Sequence, residues 1–269
     1  MPQYACFDIP GIDWPGRRVS DCLTVLQAAS VAHQLGKRQI LSESFAMCGW
    51  NVSFEELRRI AEYQMVHGVT LLCQHLAPYS LGGIRKRDAP AALFVQQPWW
   101  KEYRHFNDFI SRVGMLLTLG NVHFSVLVLH PQQSAWALYD GSETSRAEID
   151  RLNSALRSTV QTLEHAQIPF HLGDDQMLSQ HASIEGNRLC VGAQRYRAVI
   201  ISHASRWMPV WLRCSRSSPK TVGPSSVLKP KSQSSGRSRH PLPVGRRFLR
   251  KSAGGLPEAF SAFHYTKLH

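Results

Sequence analysis

A chain of 269 residues with 43% hydrophobic residues can hold one large or two modest domains and can bury a core. No apolar run approaches the ~20 residues that span a bilayer, and Met1-Pro2-Gln3-Tyr4 lacks the charged and apolar regions of a signal peptide, so location stays open. The net charge of +12 suggests nucleic acid until it is divided: residues 211–269 hold 12 Lys+Arg and one acid, Glu258, while residues 1–210 hold 19 basic and 18 acidic residues.

Residues 4–9 predict a short strand, and Pro10-Gly11-Ile12-Asp13-Trp14-Pro15-Gly16 breaks it into a loop. Asp21 can cap a helix over 22–35, with Leu23, Leu26, Val31 and Leu35 roughly on one face and Gly36 as its C-terminal stop. A strand over 38–43 ends on Glu43. Ser53-Phe54-Glu55-Glu56 is a capping box, in which Ser53 bonds the amide three residues on and Glu56 reaches back. The helix it opens, 54–67, carries Leu57, Ile60, Ala61 and Met65 at helical spacing, and Gly68 closes it. Val69-Thr70-Leu71-Leu72-Cys73-Gln74-His75 reads as a buried parallel strand. The loop over 76–97 contains Gly82-Gly83 and Arg85-Lys86-Arg87-Asp88, and its length suggests a function or an insertion. Pro98 suits the first turn of a helix over 98–119, which Gly120 stops.

Beyond 120 the pattern changes. Phe124-Ser125-Val126-Leu127-Val128-Leu129 is a continuous apolar strand, and a helix over 145–166 shows Ile149, Leu152, Leu156, Val160 and Leu163 at helical spacing. Short strands are predicted over 168–172 and 199–201, with a weaker one over 188–191. This alternation predicts an α/β sheet of the open doubly wound kind, with a boundary near 120. From Trp211 onward Ser, Pro, Gly and Arg dominate and no apolar period survives, so 211–269 reads as a disordered basic tail. The shift is abrupt enough to suggest a replaced C-terminus, of the kind an out-of-frame translation gives.

Glu43 is the leading chemical candidate. A (β/α) barrel presents a catalytic acid at the C-terminal tip of a parallel strand. A lone strand-end Glu is nonetheless more often the structural partner of a nearby Arg or Lys. His75, at the end of the next strand, would face the same mouth and can bond sugar hydroxyls; a satisfied strand-end histidine is the bland reading. Trp50 can stack on a sugar or cover the rim. Trp99 and Trp100 are packing residues, since neighbours on a helix cannot both face a sugar. Asp13 and Asp88 sit in predicted loops as candidate substrate or metal ligands, and Asp174-Asp175 reads as an acidic loop. The six cysteines (Cys6, Cys22, Cys48, Cys73, Cys190, Cys214) form no C-x-x-C pair and point to neither a zinc site nor a disulfide scaffold. No H-x-x-x-H, nucleophile elbow or Walker loop occurs.

Residues 10–16, Lys37-Arg38-Gln39-Ile40-Leu41-Ser42-Glu43-Ser44-Phe45, Gly49-Trp50-Asn51, Pro98-Trp99-Trp100 and Val126-Leu127-Val128-Leu129-His130-Pro131 together resemble the bacterial α-L-rhamnosidases of glycoside hydrolase family 106. The resemblance spans roughly residues 5–205. It implies a (β/α)8 barrel, inverting hydrolysis of α-L-rhamnosides by two glutamates, and a calcium ion near the site. Nothing in the sequence itself requires a cofactor. Glu43 matches the family's carboxylate late in the barrel, and Asp13, Trp50 and His75 are the expected substrate contacts. The resemblance divides the chain into the last strands of a barrel (1–120), an incomplete flavodoxin-like or amidotransferase-like α/β domain (121–210) and the tail. The earlier barrel strands and their carboxylate are expected to be missing, which predicts an inactive fragment. Two other readings stand beside it: a non-enzymatic protein whose tail binds nucleic acid or anionic surfaces, and a β-galactosidase-like glycosidase on the same architecture.

Overall fold

A computed structural model describes residues 1–202 and the backbone of 264–267, so the rest of the expected basic tail lies outside the described residues. The described chain is α/β, built on two parallel sheets and a small antiparallel one. No helix among the described residues is long and apolar enough to cross a membrane.

The first sheet has strands β1 (Gly11–Trp14), β2 (Leu41–Ser44) and β3 (Leu71–Gln74), all parallel and in that order. Two expectations change here. Residues 2–6 form a 3-10 helix in place of a strand, and the predicted loop 10–16 contains β1. The Pro10 and Pro15 that read as breakers only delimit a four-residue strand. Ile12 and Trp14 alternate inward between them, the period-two signal that the flanking prolines and glycines obscured.

The crossovers are α1 (Leu23–Gln34) and α2 (Phe54–Val66). The capping box forms as predicted: Glu56 N–H donates to Ser53 Oγ at 3.2 Å and Ser53 N–H to Glu56 Oε2 at 3.0 Å. The helix predicted over 98–119 starts late, as a 3-10 turn (Trp100–Glu102) leading into α3 (Tyr103–Thr118). Ile12, Trp14, Val25, Ala29, Leu57, Ile60, Tyr103 and Phe106 form one core, on the helical side of the sheet.

The second sheet contains β4 (Val126–Leu129), β5 (Phe170–Gly173) and β9 (Ala198–Ile201), with β4 central and parallel to both neighbours. The backbone of β10 (His264–Lys267) adds an antiparallel edge to β9. Its connections include α4 (Gln132–Leu138), α5 (Glu143–His165) and α6 (Asp175–His181). Asp174, expected in an acidic loop, caps α6 by accepting from Gln176 N–H at 3.0 Å. A meander of β6 (Ala182–Glu185), β7 (Arg188–Val191) and β8 (Gln194–Tyr196) covers the other face; only its middle strand was legible in the sequence. Val128 therefore packs with Leu156, Val160 and Leu163 of α5, whereas Leu127 and Leu129 pack with Leu189, Val191 and Tyr196. Burial on both faces explains why residues 126–129 read as a continuous apolar run.

The two sheets share α1. Val25, Ala28, Ala29 and Ala32 belong to the first core, and Leu23, Leu26 and Val31 to the second. Polar groups complete the contact: Ser30 Oγ accepts from Leu172 N–H at 2.8 Å, and the Gln34 amide donates to Leu172 O at 3.0 Å. The β7–β8 turn closes on the end of α1, where Ala193 N–H donates to Gln34 O at 2.7 Å. Gly192 must be glycine, since a Cβ there would lie 2.1 Å from Gln34 O and its φ is +53°. The Gln34 amide also donates to Tyr196 Oη at 3.1 Å. Tyr196 Oη lies 2.9 Å from His171 Nδ1, and His171 Nε2 lies 3.0 Å from His33 Nδ1. One nitrogen of the His–His contact must lack a proton, so the two imidazoles cannot both be charged here.

Truncating the core should cost more than removing a cap. Ile60→Ala is expected to lower unfolding free energy by about 2–5 kcal/mol, and Ser53→Ala by about 1 kcal/mol, both read from urea midpoints at unchanged slope. The buried histidines set a pH dependence. Burial lowers the His33 pKa to about 4, from 6.5, and holds His171 well below its ordinary range, with His33 beside it a further cause. The unfolded chain thus binds more protons between pH 6.5 and 4, so stability present above pH 6.5 is lost as pH falls through that window. The urea midpoint should drop from pH 7 to pH 4.5, and less steeply in His33→Gln.

Candidate active site

The carboxylate singled out by the sequence lies in β2 and not at its last position: Ser44 follows it in the strand. Side chains alternate across a sheet. Ile12, Trp14, Ser42 and Ser44 are buried on the helical side, and Asp13, Glu43 and Cys73 form a row across the three strands on the other face. Asp13 is in direct register with Glu43, and Glu43 with Cys73. Asp13 and Cys73 are exposed and Glu43 is half-buried. Asp13 therefore is not a loop residue. Its β1 position places it one strand, about 4.8 Å in backbone spacing, from Glu43.

Among the described residues, no Arg or Lys pairs with Glu43, and its carboxylate accepts no hydrogen bond. The structural role most often taken by a strand-end glutamate is therefore unfilled here. The face it projects from is open. On the helical face, by contrast, the polar residues of β2 are fully engaged: Ser42 and Ser44 hydroxyls bond each other at 2.9 Å and both reach the buried Gln64 amide.

The chain leaves β2 through strained backbone. Phe45 has φ +78° and Met47 φ +59°, values that bulky side chains rarely adopt. Phe45 is nonetheless fully buried, edge-on to Phe106 at 5.9 Å between ring centroids. Packing of that ring holds the turn in a conformation its backbone disfavours, which is characteristic of functional loops. Arg17 ties the loops at this end together. Its guanidinium pairs with Glu56 at 2.7 Å and also donates to Asn51 Oδ1 and Cys48 O.

The remaining candidates are placed unequally. His75 directly follows β3, where its N–H donates to Ser44 O at 2.9 Å, so its backbone is fixed beside the end of β2. Its Nδ1 is buried and has no hydrogen-bond partner among the described residues. Trp50 lies in the loop after β2 and is 37% exposed. Its indole N–H donates to Lys86 O at 2.8 Å, so the ring holds the 83–87 segment, a 3-10 helix, against the loop that follows β2. Asp88 ends that segment and is exposed. Trp99 and Trp100 pack against Phe54, Phe94 and Tyr103, in line with a packing role. Cys73, the third member of the carboxylate row, was missed because nothing in a single strand's sequence tells which of its residues will stand beside a distant glutamate.

Calcium finds little support on this face. It takes six to eight oxygen ligands, and the row offers two carboxylates and a thiol.

No protein-family model and no curated protein matches the chain. Among solved structures it is similar to the rhamnosidase from Novosphingobium sp. PP1Y, with a TM-score of 0.50 and 18% identity over 73% of this chain. The chain spans 18% of that protein's length. At this identity the likeness is one of fold alone, an α/β arrangement of helices and parallel strands.

Proposed function

We propose that residues 1–120 are the last part of a (β/α)8 barrel of α-L-rhamnosidase type, that residues 121–210 are the flavodoxin-like domain that follows it, and that Glu43 is the inherited general acid or base. The observation that carries this reading is the unpaired Glu43 carboxylate, in register with Asp13 on the uncovered face of three parallel strands. In a closed barrel that face is the interior, and the ends of the strands line the site. The free edge of β3, beside a groove lined by Thr70, Leu71, Asn107 and Gly114, is where a further strand would add. The solved rhamnosidase supports the fold part of the reading.

The reaction would be acid–base hydrolysis of a glycosidic bond. Inversion needs a second carboxylate roughly 6.5–9.5 Å away, to leave room for a water. Asp13 and Glu43 leave registered neighbours about 4.8 Å apart in backbone and project side by side, not from opposite sides of a bound sugar. Asp13 thus serves as a substrate contact, with His75 and Trp50 at the rim, and the second carboxylate belongs to strands other than these three. No step is assigned to calcium.

Two measurements test the reading. The purified chain should hydrolyse an aryl α-L-rhamnoside no faster than buffer; turnover that disappears in Glu43→Gln would show that three strands suffice and that the inactivity proposed here is wrong. L-Rhamnose at high concentration should shift the amide resonances of Asp13, Glu43 and His75, and should do so less in Trp50→Ala. Shifts scattered elsewhere, or none, would remove the assignment of this face to a sugar.

A further inference from the structure

Cysteine, histidine and glutamate residues that lie far apart in sequence meet at one point away from the Glu43 row. Cys22 opens α1, His67 closes α2 and Glu164 lies in the last turn of α5. Their ligand atoms, Cys22 Sγ, an imidazole nitrogen and a carboxylate oxygen, lie within 4.8 Å of one another. Cys22 is buried and forms no disulfide; His67 and Glu164 are half-buried.

The orientation of His67 is informative. Its Nδ1 lies 2.6 Å from Tyr63 O. A carbonyl cannot donate, so Nδ1 carries a proton, and in the neutral ring Nε2 keeps its lone pair. That lone pair faces Glu164 Oε1 at 2.8 Å, which is also an acceptor. A backbone carbonyl behind the far nitrogen is the arrangement that fixes the tautomer of a metal-binding histidine. Backbone electrostatics at this point are mixed, since Cys22 stands at the positive N-terminal end of α1. The C-terminal ends of α2 and α5 both present partial negative charge here, where a carboxylate is disfavoured and a cation favoured. Either a second proton on His67 or a bound cation would satisfy these groups. The buried Cys22 thiol beside them is a soft donor that a cation, and not a second imidazole proton, would engage.

We propose that Cys22, His67 and Glu164 bind a divalent cation of borderline softness, of the Zn(II) or Co(II) class. One sulfur, one nitrogen and one oxygen donor match that class and not calcium or magnesium. Metal–ligand bonds of about 2.0–2.3 Å place tetrahedral ligands roughly 3.3–3.8 Å apart. The three atoms lie within 4.8 Å of one another, so adjustments of about 1 Å, of the size side-chain rotation allows, bring them to that spacing. As the metal–sulfur bond forms, the Sγ–H bond breaks and its proton passes to solvent; no electron is transferred. Three protein ligands leave a fourth position for water. The site joins α1, α2 and α5, and it stands independently of the rhamnosidase reading.

Co(II) titration of the full chain, bearing no added histidines, tests this. The expected result is one equivalent bound with a thiolate-to-Co(II) charge-transfer band, displaced by Zn(II), absent in Cys22→Ser and at least roughly tenfold weaker in Glu164→Gln. Absence of the band, as an imidazolium–carboxylate pair alone predicts, overturns the proposal, as does a band that survives in Cys22→Ser. Should Cys22→Ser fail to fold, His67→Gln and Glu164→Gln decide: unchanged affinity in both overturns it.

Discussion

Of the residues of α1, only Thr24 is exposed. A helix apolar or polar-satisfied on every side is a core element, not a surface one. Its alanines let it approach the first sheet closely, while Leu23, Leu26 and Val31 fill the space under the second. Its polar residues, Ser30, His33 and Gln34, do not face water. They bond β5 and β8. Both parallel sheets and the β7–β8 turn are placed relative to this helix. The first sheet, the second sheet and the β7–β8 turn each make contacts with it that would be lost if it rotated by one residue.

That constraint bears on chemistry in two ways. It fixes β1 and β2 on either side of α1, and so fixes the register that puts Asp13 beside Glu43. It also brings the start of α1 to the ends of α2 and α5, where Cys22, His67 and Glu164 meet. The two sites differ in kind. The carboxylate row is open, built on an uncovered sheet face, and lacks partners. The Cys–His–Glu group is half-enclosed and brings three kinds of donor atom within 4.8 Å of one another. An open face of this sort needs more protein to become an active site, whereas the enclosed group needs only an ion.

The polar interior shows the same economy. Gln34 bonds β5, β8 and the β7–β8 turn, and its contact with Tyr196 leads on through His171 to His33, a chain in which the two rings cannot both be charged. Burying imidazoles in place of hydrocarbons makes the junction between the sheets specific in orientation. It also makes that junction sensitive to acid, since each ring must charge to leave its site.

Much of this was written locally. The capping box at Ser53 and Glu56, the helical faces of α2 and α5, and the apolar run of β4 were legible because each depends on neighbours a few residues away. So was Glu43 as a carboxylate in a strand, though it stands one residue short of the strand's end. Short elements bounded by turn residues were not, as β1 and the two outer meander strands show, because too few positions remain to display a period. The sequence by itself determined the α/β alternation, the near-neutral body and the identity of the chemical candidates. Only the tertiary structure decided that Asp13 stands in register with Glu43, that no cation pairs with that glutamate among the described residues, and that Cys22, His67 and Glu164 share a site. Those are facts about residues 30 to 142 positions apart. Strand register and helix packing bring such residues together, and no local pattern encodes either.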